Sequence, residues 1–290
     1  MIIFLSSAFI IQTMMNELAN NPLFQSALAP FVVALVTGYL LRPLGSKWVG
    51  LGFVLGYGAS VYFTAGFQLF PLTSTRKIEL LAVAAVLVGV LLDHYKYARR
   101  PVPWVLAMLA IAAAVWVIFP VLKRAEGLDF WLMLFSPVYV AWMVVGFDLL
   151  RNKPVAASTA AVSVGVGTSI SAVLGASALL GQLGGAIGAA AGAIFVLVLF
   201  VKRVEIGSSF TLPVALLAAL LGISAVIYAG LSWYALVPLA LIPLATYLPV
   251  NTNWNRFIQA IVLAGYSAIP AAVAIAVTWK IAQAVEPSLY

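Results

Sequence analysis

The sequence predicts an all-α fold, a polytopic bundle of about ten transmembrane helices, on three observations. Of 290 residues, 64% are hydrophobic and only 8% are charged, against roughly 25% charged in an average soluble domain. Mean hydropathy is +1.13. Apolar runs of about 20 residues recur from end to end, the length that crosses roughly 30 Å of hydrocarbon at 1.5 Å per residue. This composition excludes a water-soluble enzyme, a disordered chain and a nucleic-acid-binding domain. The net charge of +7 reads instead as Lys and Arg gathered in cytoplasmic loops, a few of them beside anionic headgroups.

Charge clusters, Pro and Gly divide the chain into ten spans. Span 1 (23–42) ends at Arg42, and span 2 (47–70) follows Lys47. Span 3 (78–94) lies between Lys77 and Lys96. Span 4 (103–122) is closed by Lys123, and span 5 (129–150) by Arg151. Span 6 (155–176) and span 7 (181–201) share an uncharged stretch that as one helix would measure about 70 Å. It is therefore cut at Gly181-Gln182-Leu183-Gly184-Gly185, read as a turn. Span 8 (210–229) and span 9 (232–250) meet at the tight connection Gly230-Leu231-Ser232-Trp233. Span 10 (257–281) begins after Arg256.

The segment 1–22 is read as interfacial or half-inserted. Its apolar run from Met1 to Met15 is short and lacks the basic start of a secretory signal. A retained span there is the minority option. The rest forms a single integral membrane domain with two five-helix halves, 23–150 and 155–283.

With the N-terminus outside, inside loops hold ten Lys/Arg and outside positions five. That bias puts both termini on the non-cytoplasmic side of an inner or plasma membrane. Trp48, Trp104, Trp131, Trp233, Trp254 and Trp279 fall near interfaces, where the amphipathic indole is favoured, while Trp116 and Trp142 are expected to pack between helices.

The halves resemble each other. An offset of 132 places Gly52 on Gly184, Gly56 on Gly188, Ser60 on Gly192 and Phe63 on Phe195. An offset of 133 places Ala82 on Ala215 and Gly89 on Gly222. With five spans per half, such a repeat is inverted in the membrane, a plan common among secondary transporters with the site near the midplane. In length and span count the chain resembles the ten-helix drug/metabolite-type carriers. That resemblance extends to no quotable motif, and the predicted orientation is opposite to the one that family implies.

Three sets of residues could carry function. Gly52, Gly56 and Ser60 in span 2, and Gly184, Gly188 and Gly192 in span 7, recur every four residues. Such a stripe serves close helix packing, or a symmetric sliding pair. Span 6 carries Ser163, Gly165, Gly167, Thr168, Ser169 and Ser171 at mid-membrane depth. Glycines there weaken the helix and hydroxyls supply polar groups, so an unwound turn would expose backbone to a solute. Pro30 in span 1 frees a carbonyl at the corresponding place. Against this, Ser and Thr bond back to their own helix at little cost. The third set is interfacial: Asp148 with Arg151 three residues on, and the loop holding Asn251, Asn253 and Arg256, read as a headgroup contact or a helix N-cap.

Glu79, Asp93 and Asp148 are read as interface charges, and Pro137, Pro213, Pro238, Pro243 and Pro270 as ordinary kinks. No span places a carboxylate near its centre, which counts against a proton pump or a carboxylate-coordinated cation carrier. The chain has no cysteine and one histidine, His94, so no disulfide, no metal site and no cofactor are expected. The reading is a transporter or permease for a small, largely uncharged or amphipathic solute, not an enzyme. A non-catalytic scaffold subunit of a larger membrane complex is the alternative, and a lipid-handling enzyme the second. The expected partners are the lipid bilayer and, in the scaffold reading, other membrane subunits, with no nucleic acid.

Overall fold

The computed structural model describes residues 20–45, 48–66, 70–95, 101–122, 130–175, 177–201, 204–251 and 253–285. The segment before residue 20, the basic run Lys96 to Arg100, and Lys123, Arg124, Lys202 and Arg203 lie outside the described residues.

Ten α-helices, and no strand, occur among the described residues. They are α1 (Ala29–Leu41), α2 (Val49–Ala65), α3 (Ser74–Tyr95), α4 (Val102–Leu122), α5 (Phe130–Asp148), α6 (Pro154–Leu174), α7 (Ala178–Phe200), α8 (Ser208–Ala229), α9 (Leu236–Tyr247) and α10 (Arg256–Val285). They correspond one to one with the ten expected spans. Seven described stretches are long and apolar enough to cross a membrane, and three are shorter: Val49–Ala65, Met133–Asp148 and Trp233–Tyr247.

Local chemistry sets the ends. Pro154 opens α6, where its missing N–H is not needed. Gly230 closes α8 at φ 70°, and Leu231 N–H turns back to the Ala225 carbonyl at 3.1 Å, the left-handed stop that favours glycine. Ser177 starts α7 by accepting the Leu180 N–H at 3.3 Å. The turn between α6 and α7 therefore lies at 175–177, and the predicted turn at Gly181–Gly185 is helix. Those glycines serve close approach to α6, not a change of direction.

Ahead of α1, Phe24–Leu28 is π-helical, with the Ala29 N–H bonded to the Phe24 carbonyl. Pro30, which donates no hydrogen bond, follows at once. The irregularity expected at Pro30 is thus a π-helical turn, a form frequent at functional sites.

Polar contacts define two faces of the bundle. At one, Asp93 ends α3, Asp148 ends α5 and both meet the start of α8. Arg256 at the start of α10 meets the end of α7. At the other, Ser74 starts α3 and meets Tyr228 near the end of α8, while Gln25 reaches the Phe63 carbonyl near the end of α2. We call these the Asp93 face and the Ser74 face. The helices alternate between them in chain order.

The most extensive helix pairings are α6 with α7, α1 with α2, and α3 with α8. The hub is α8. It touches α2, α3, α5, α6 and α7, and every residue from Ser208 to Ala225 is buried. Large apolar side chains such as Trp104, Met108, Phe135 and Ile261 point outward, as befits a lipid-facing surface. Trp116 and Trp142 are 39% and 47% exposed. Both are half-exposed yet reach a neighbouring helix, Trp142 through its indole N–H to the Ala240 carbonyl of α9 and Trp116 through its ring to Lys77 of α3.

Candidate functional site

The second half is built around one crossing. A Cβ on Gly165 would lie 2.6 Å from the Gly188 Cα, and one on Gly184 would lie 2.8 Å from the Ser169 Cα. Only missing side chains allow α6 and α7 to touch so closely. The Ser169 hydroxyl adds a 2.7 Å bond to the Gly181 carbonyl. The first half has a matching crossing. A Cβ on Gly52 would lie 2.7 Å from the Gly38 Cα, and one on Gly56 would lie 2.7 Å from the Ala34 Cβ.

Gly52 and Gly56 of α2 thus face α1, and Gly184 and Gly188 of α7 face α6, while α2 and α7 also pack against each other. Gly192 is the loose member, with its nearest contact at 3.9 Å from the Phe31 ring. Ser60 is fully buried.

Helix α6 runs unbroken from Pro154 to Leu174, so the expected unwound turn is absent. Its glycines are spent on packing: Gly165 on α7, and Gly167 on Leu239 of α9 and Ala271 of α10. The hydroxyls divide into two classes. Ser158 and Thr159 bond back to carbonyls one turn earlier, and Ser163 shares a 2.7 Å bond with Ser267 of α10. Thr168 and Ser171, 1% and 0% exposed, make no hydrogen bond among the described residues.

They belong to a larger set. Six buried side-chain oxygens are without a described partner: those of Tyr57, Ser60, Tyr139, Thr168, Ser171 and Ser224. Each stands on α8 or on a helix in contact with α8. Tyr57 and Tyr139 stand at mid-helix, and the other four lie past the midpoint of their helices, toward the Ser74 face. Toward the Asp93 face, Ser158, Thr159, Ser208, Thr211 and Thr246 are all bonded. An unpaired buried hydroxyl costs about 1–3 kcal/mol, so six from mid-helix to the Ser74 side mark an interior suited to polar company. Sequence reasoning found Ser60, Thr168 and Ser171. It missed Tyr57, Tyr139 and Ser224, because an isolated hydroxyl in an apolar helix carries no pattern.

Beside α8, the helices α5 and α9 part to leave an apolar groove of about 520 Å³, open on the outer surface of the bundle and lined by Phe135, Trp142, Val226, Trp233 and Val237. Pro137 and Pro243 lie in these two helices. The Trp142 indole N–H bonds to the Ala240 carbonyl at 2.9 Å, and the Phe135 and Trp233 rings lie parallel within 3°.

The interfacial residues do not form one pocket. Arg151 pairs with Asp148 at 3.2 Å, as their spacing predicts. Arg256 donates to the Val198 and Val201 carbonyls at 3.2 and 3.3 Å, capping the end of α7. Asn251 accepts the Asn253 N–H at 3.0 Å, and Asn255 caps α10 through the Ile258 N–H at 2.8 Å. The N-cap reading of this loop holds, on Asn255. Among the described residues Asp148 and Arg256 share no hydrogen-bond partner. Among the described residues no group of three His, Asp or Glu side chains is arranged to hold a metal.

The chain matches no known protein-family model and no curated protein.

Proposed function

We propose that this multi-pass membrane protein is a carrier or permease for a small, largely uncharged or amphipathic solute. The observation that carries this reading is the set of six unpaired buried hydroxyls around α8, which runs from mid-helix toward the Ser74 face. Hydroxyls without an accompanying ion suit a neutral polar group, and the apolar groove between α5 and α9 suits the apolar part of an amphipathic one. The matched glycine crossings support a two-fold plan. Gly52 against Gly38 corresponds to Gly184 against Ser169, at offsets of 132 and 131. In addition α3 pairs with α8, α2 with α7, α4 with α5 and α9 with α10, partnerships that five-plus-five symmetry relates. Inverted repeats with the solute site at their interface are a transporter plan. The Lys/Arg bias makes the Asp93 face cytoplasmic.

The chain has no cysteine, so single cysteines report cleanly. In membranes, cysteines placed from Ser163 to Ser171 should label with a small polar thiol reagent at 168 and 171. Position 164, fully buried in the core, should stay dark. Uniform inaccessibility across the series would sink the solute path.

A second reading, a scaffold subunit of a membrane complex, is favoured by the scarcity of charge: the described carboxylates inside helices, Glu79, Asp93 and Asp148, all lie toward helix ends. Stoichiometric co-purification of other membrane subunits, with no solute path by labelling, would establish it instead.

A further inference from the structure

The start of α8 is held by two carboxylates from the other half of the chain. Asp93, near the end of α3, accepts the Ser208 N–H at 2.8 Å on one oxygen and the Ser209 N–H at 3.0 Å on the other. Both are among the N–H groups that a helix start leaves without an intrahelical partner, and a carboxylate there also meets the positive end of the helix dipole. Asp148, at the end of α5 and 4% exposed, accepts the Ser208 hydroxyl at 3.3 Å and pairs with Arg151.

The backbone is fitted to this junction. A Cβ on Gly50 of α2 would lie 2.6 Å from the Ser209 carbonyl carbon, and one on Gly89 of α3 would lie 2.5 Å from the Ser209 Cα. A side chain on Gly207 would strike the Asp93 carboxylate itself. Three glycines and two acids thus converge on one turn.

That turn closes the Asp93 face, the side on which the buried hydroxyls are satisfied. The unpaired ones begin at mid-helix with Tyr57 and Tyr139 and continue toward the Ser74 face with Ser60, Thr168, Ser171 and Ser224. A junction between halves that is fully bonded on one side, next to an interior that is underbonded on the other, has the form of a closed gate.

We infer that Asp93 and Asp148, gripping Ser208 and Ser209, form a latch that seals the Asp93 face of the bundle, and that its release opens the hydroxyl-lined interior to that face. The inference deepens the carrier reading and rests on it, since a gate has a function only where something passes. The latch joins α3 and α5 to α8, so it opens by moving one half of the chain against the other. Each of its bonds is a charge-assisted or hydroxyl contact that water entering the parted junction replaces, whereas the Gly52–Gly38 and Gly184–Ser169 crossings lie within each half and remain intact.

The test uses the full chain in sealed vesicles and a membrane-impermeant methanethiosulfonate reagent. A single cysteine replaces Ala215, fully buried on α8 two turns beyond Ser208, and a second reporter replaces Ser224. With the latch intact, Ala215→Cys should resist reagent applied at the Asp93 face. With Asp93→Ala added, its labelling from that face should rise at least ten-fold, while Ser224→Cys labelling from the Ser74 face stays within two-fold. Asp93→Asn and Asp148→Asn, which keep shape and weaken the grip, should give intermediate rises and decide the matter if Asp93→Ala does not fold. Unchanged labelling at 215 overturns the inference. So does a parallel rise at both reporters, which would mean general loosening. Failure of the carrier reading shows separately, as uniform silence in the 163–171 series.

Discussion

Replacing Gly165 by alanine is expected to lower the apparent unfolding midpoint of the protein sharply, and replacing it by leucine to leave no monodisperse protein at all. The reason is what the new atoms would meet. The Gly165 Cβ would lie 2.6 Å from the Gly188 Cα and 3.0 Å from the Ile187 carbonyl carbon. These are backbone atoms of α7, which cannot rotate aside as a side chain can, so the two helices must separate. This pair forms the most extensive helix contact in the bundle, and separation would loosen the whole seam. Overpacking of this kind costs about 1–3 kcal/mol even when only a methyl group is added. In a membrane the cost is not offset by a hydrophobic gain, because lipid is as apolar as the helix surface. Gly58→Ala is the control. A Cβ there meets nothing within 4 Å, so it should be neutral or slightly stabilising through helix propensity alone. The measurement is the temperature at which the size-exclusion peak of detergent-solubilised protein disappears. Equal midpoints for Gly165→Ala and Gly58→Ala would refute the crossing argument.

That contrast also shows where the sequence is legible. Glycine spacing of four identifies a contact face, and the structure places Gly52, Gly56, Gly184 and Gly188 in contacts. It does not say which helix lies opposite, and so it suggested a mutual pair where Gly52 and Gly56 face α1 and Gly184 and Gly188 face α6. Glycine serves both turns and close contacts, which is why 181–185 reads as a turn although Ser177 opens the helix earlier. Hydropathy recovers all ten helices because the bilayer demands length. It does not foresee that α9 has only 12 residues. The functional reading shows the same division. Span 6 stands out in the sequence through its clustered hydroxyls, and two of them, Thr168 and Ser171, are among the unpaired six. Asp93, by contrast, reads as one more interface charge. Its partners Ser208 and Ser209 are more than a hundred residues away, and no local pattern connects them.

Lys77→Met is expected to destabilise the protein by about 1–3 kcal/mol, the usual scale of a hydrogen bond to a charged group, and Pro120 is the reason. Lys77 is 7% exposed, a rare burial for an ammonium group. Its Nζ lies 2.9 Å from the Trp116 carbonyl and 5.3 Å from the centre of the Trp116 ring. Pro120 sits inside α4 four residues after Trp116, and a proline removes the N–H that would have bonded that carbonyl. The lysine of α3 therefore fills a vacancy that a proline in α4 creates. Next to it, the Val117 carbonyl receives the Ser74 hydroxyl at 3.3 Å, so the end of α4 is tied to α3 by side chains where its own backbone is interrupted. The coupling can be read directly. In Pro120→Ala the new N–H satisfies the Trp116 carbonyl, and Lys77 is left with the ring alone. Lys77→Met should then cost at least about 1 kcal/mol less than it does beside Pro120, or become stabilising, because burying an ammonium without a strong partner is itself unfavourable. Reversible unfolding of the four proteins in one detergent gives the cycle. An identical cost of Lys77→Met in both backgrounds would mean that the proline and the lysine act independently. A cost that falls when the proline is removed would make an interrupted helix in α4 the structural cause of a buried charge in α3.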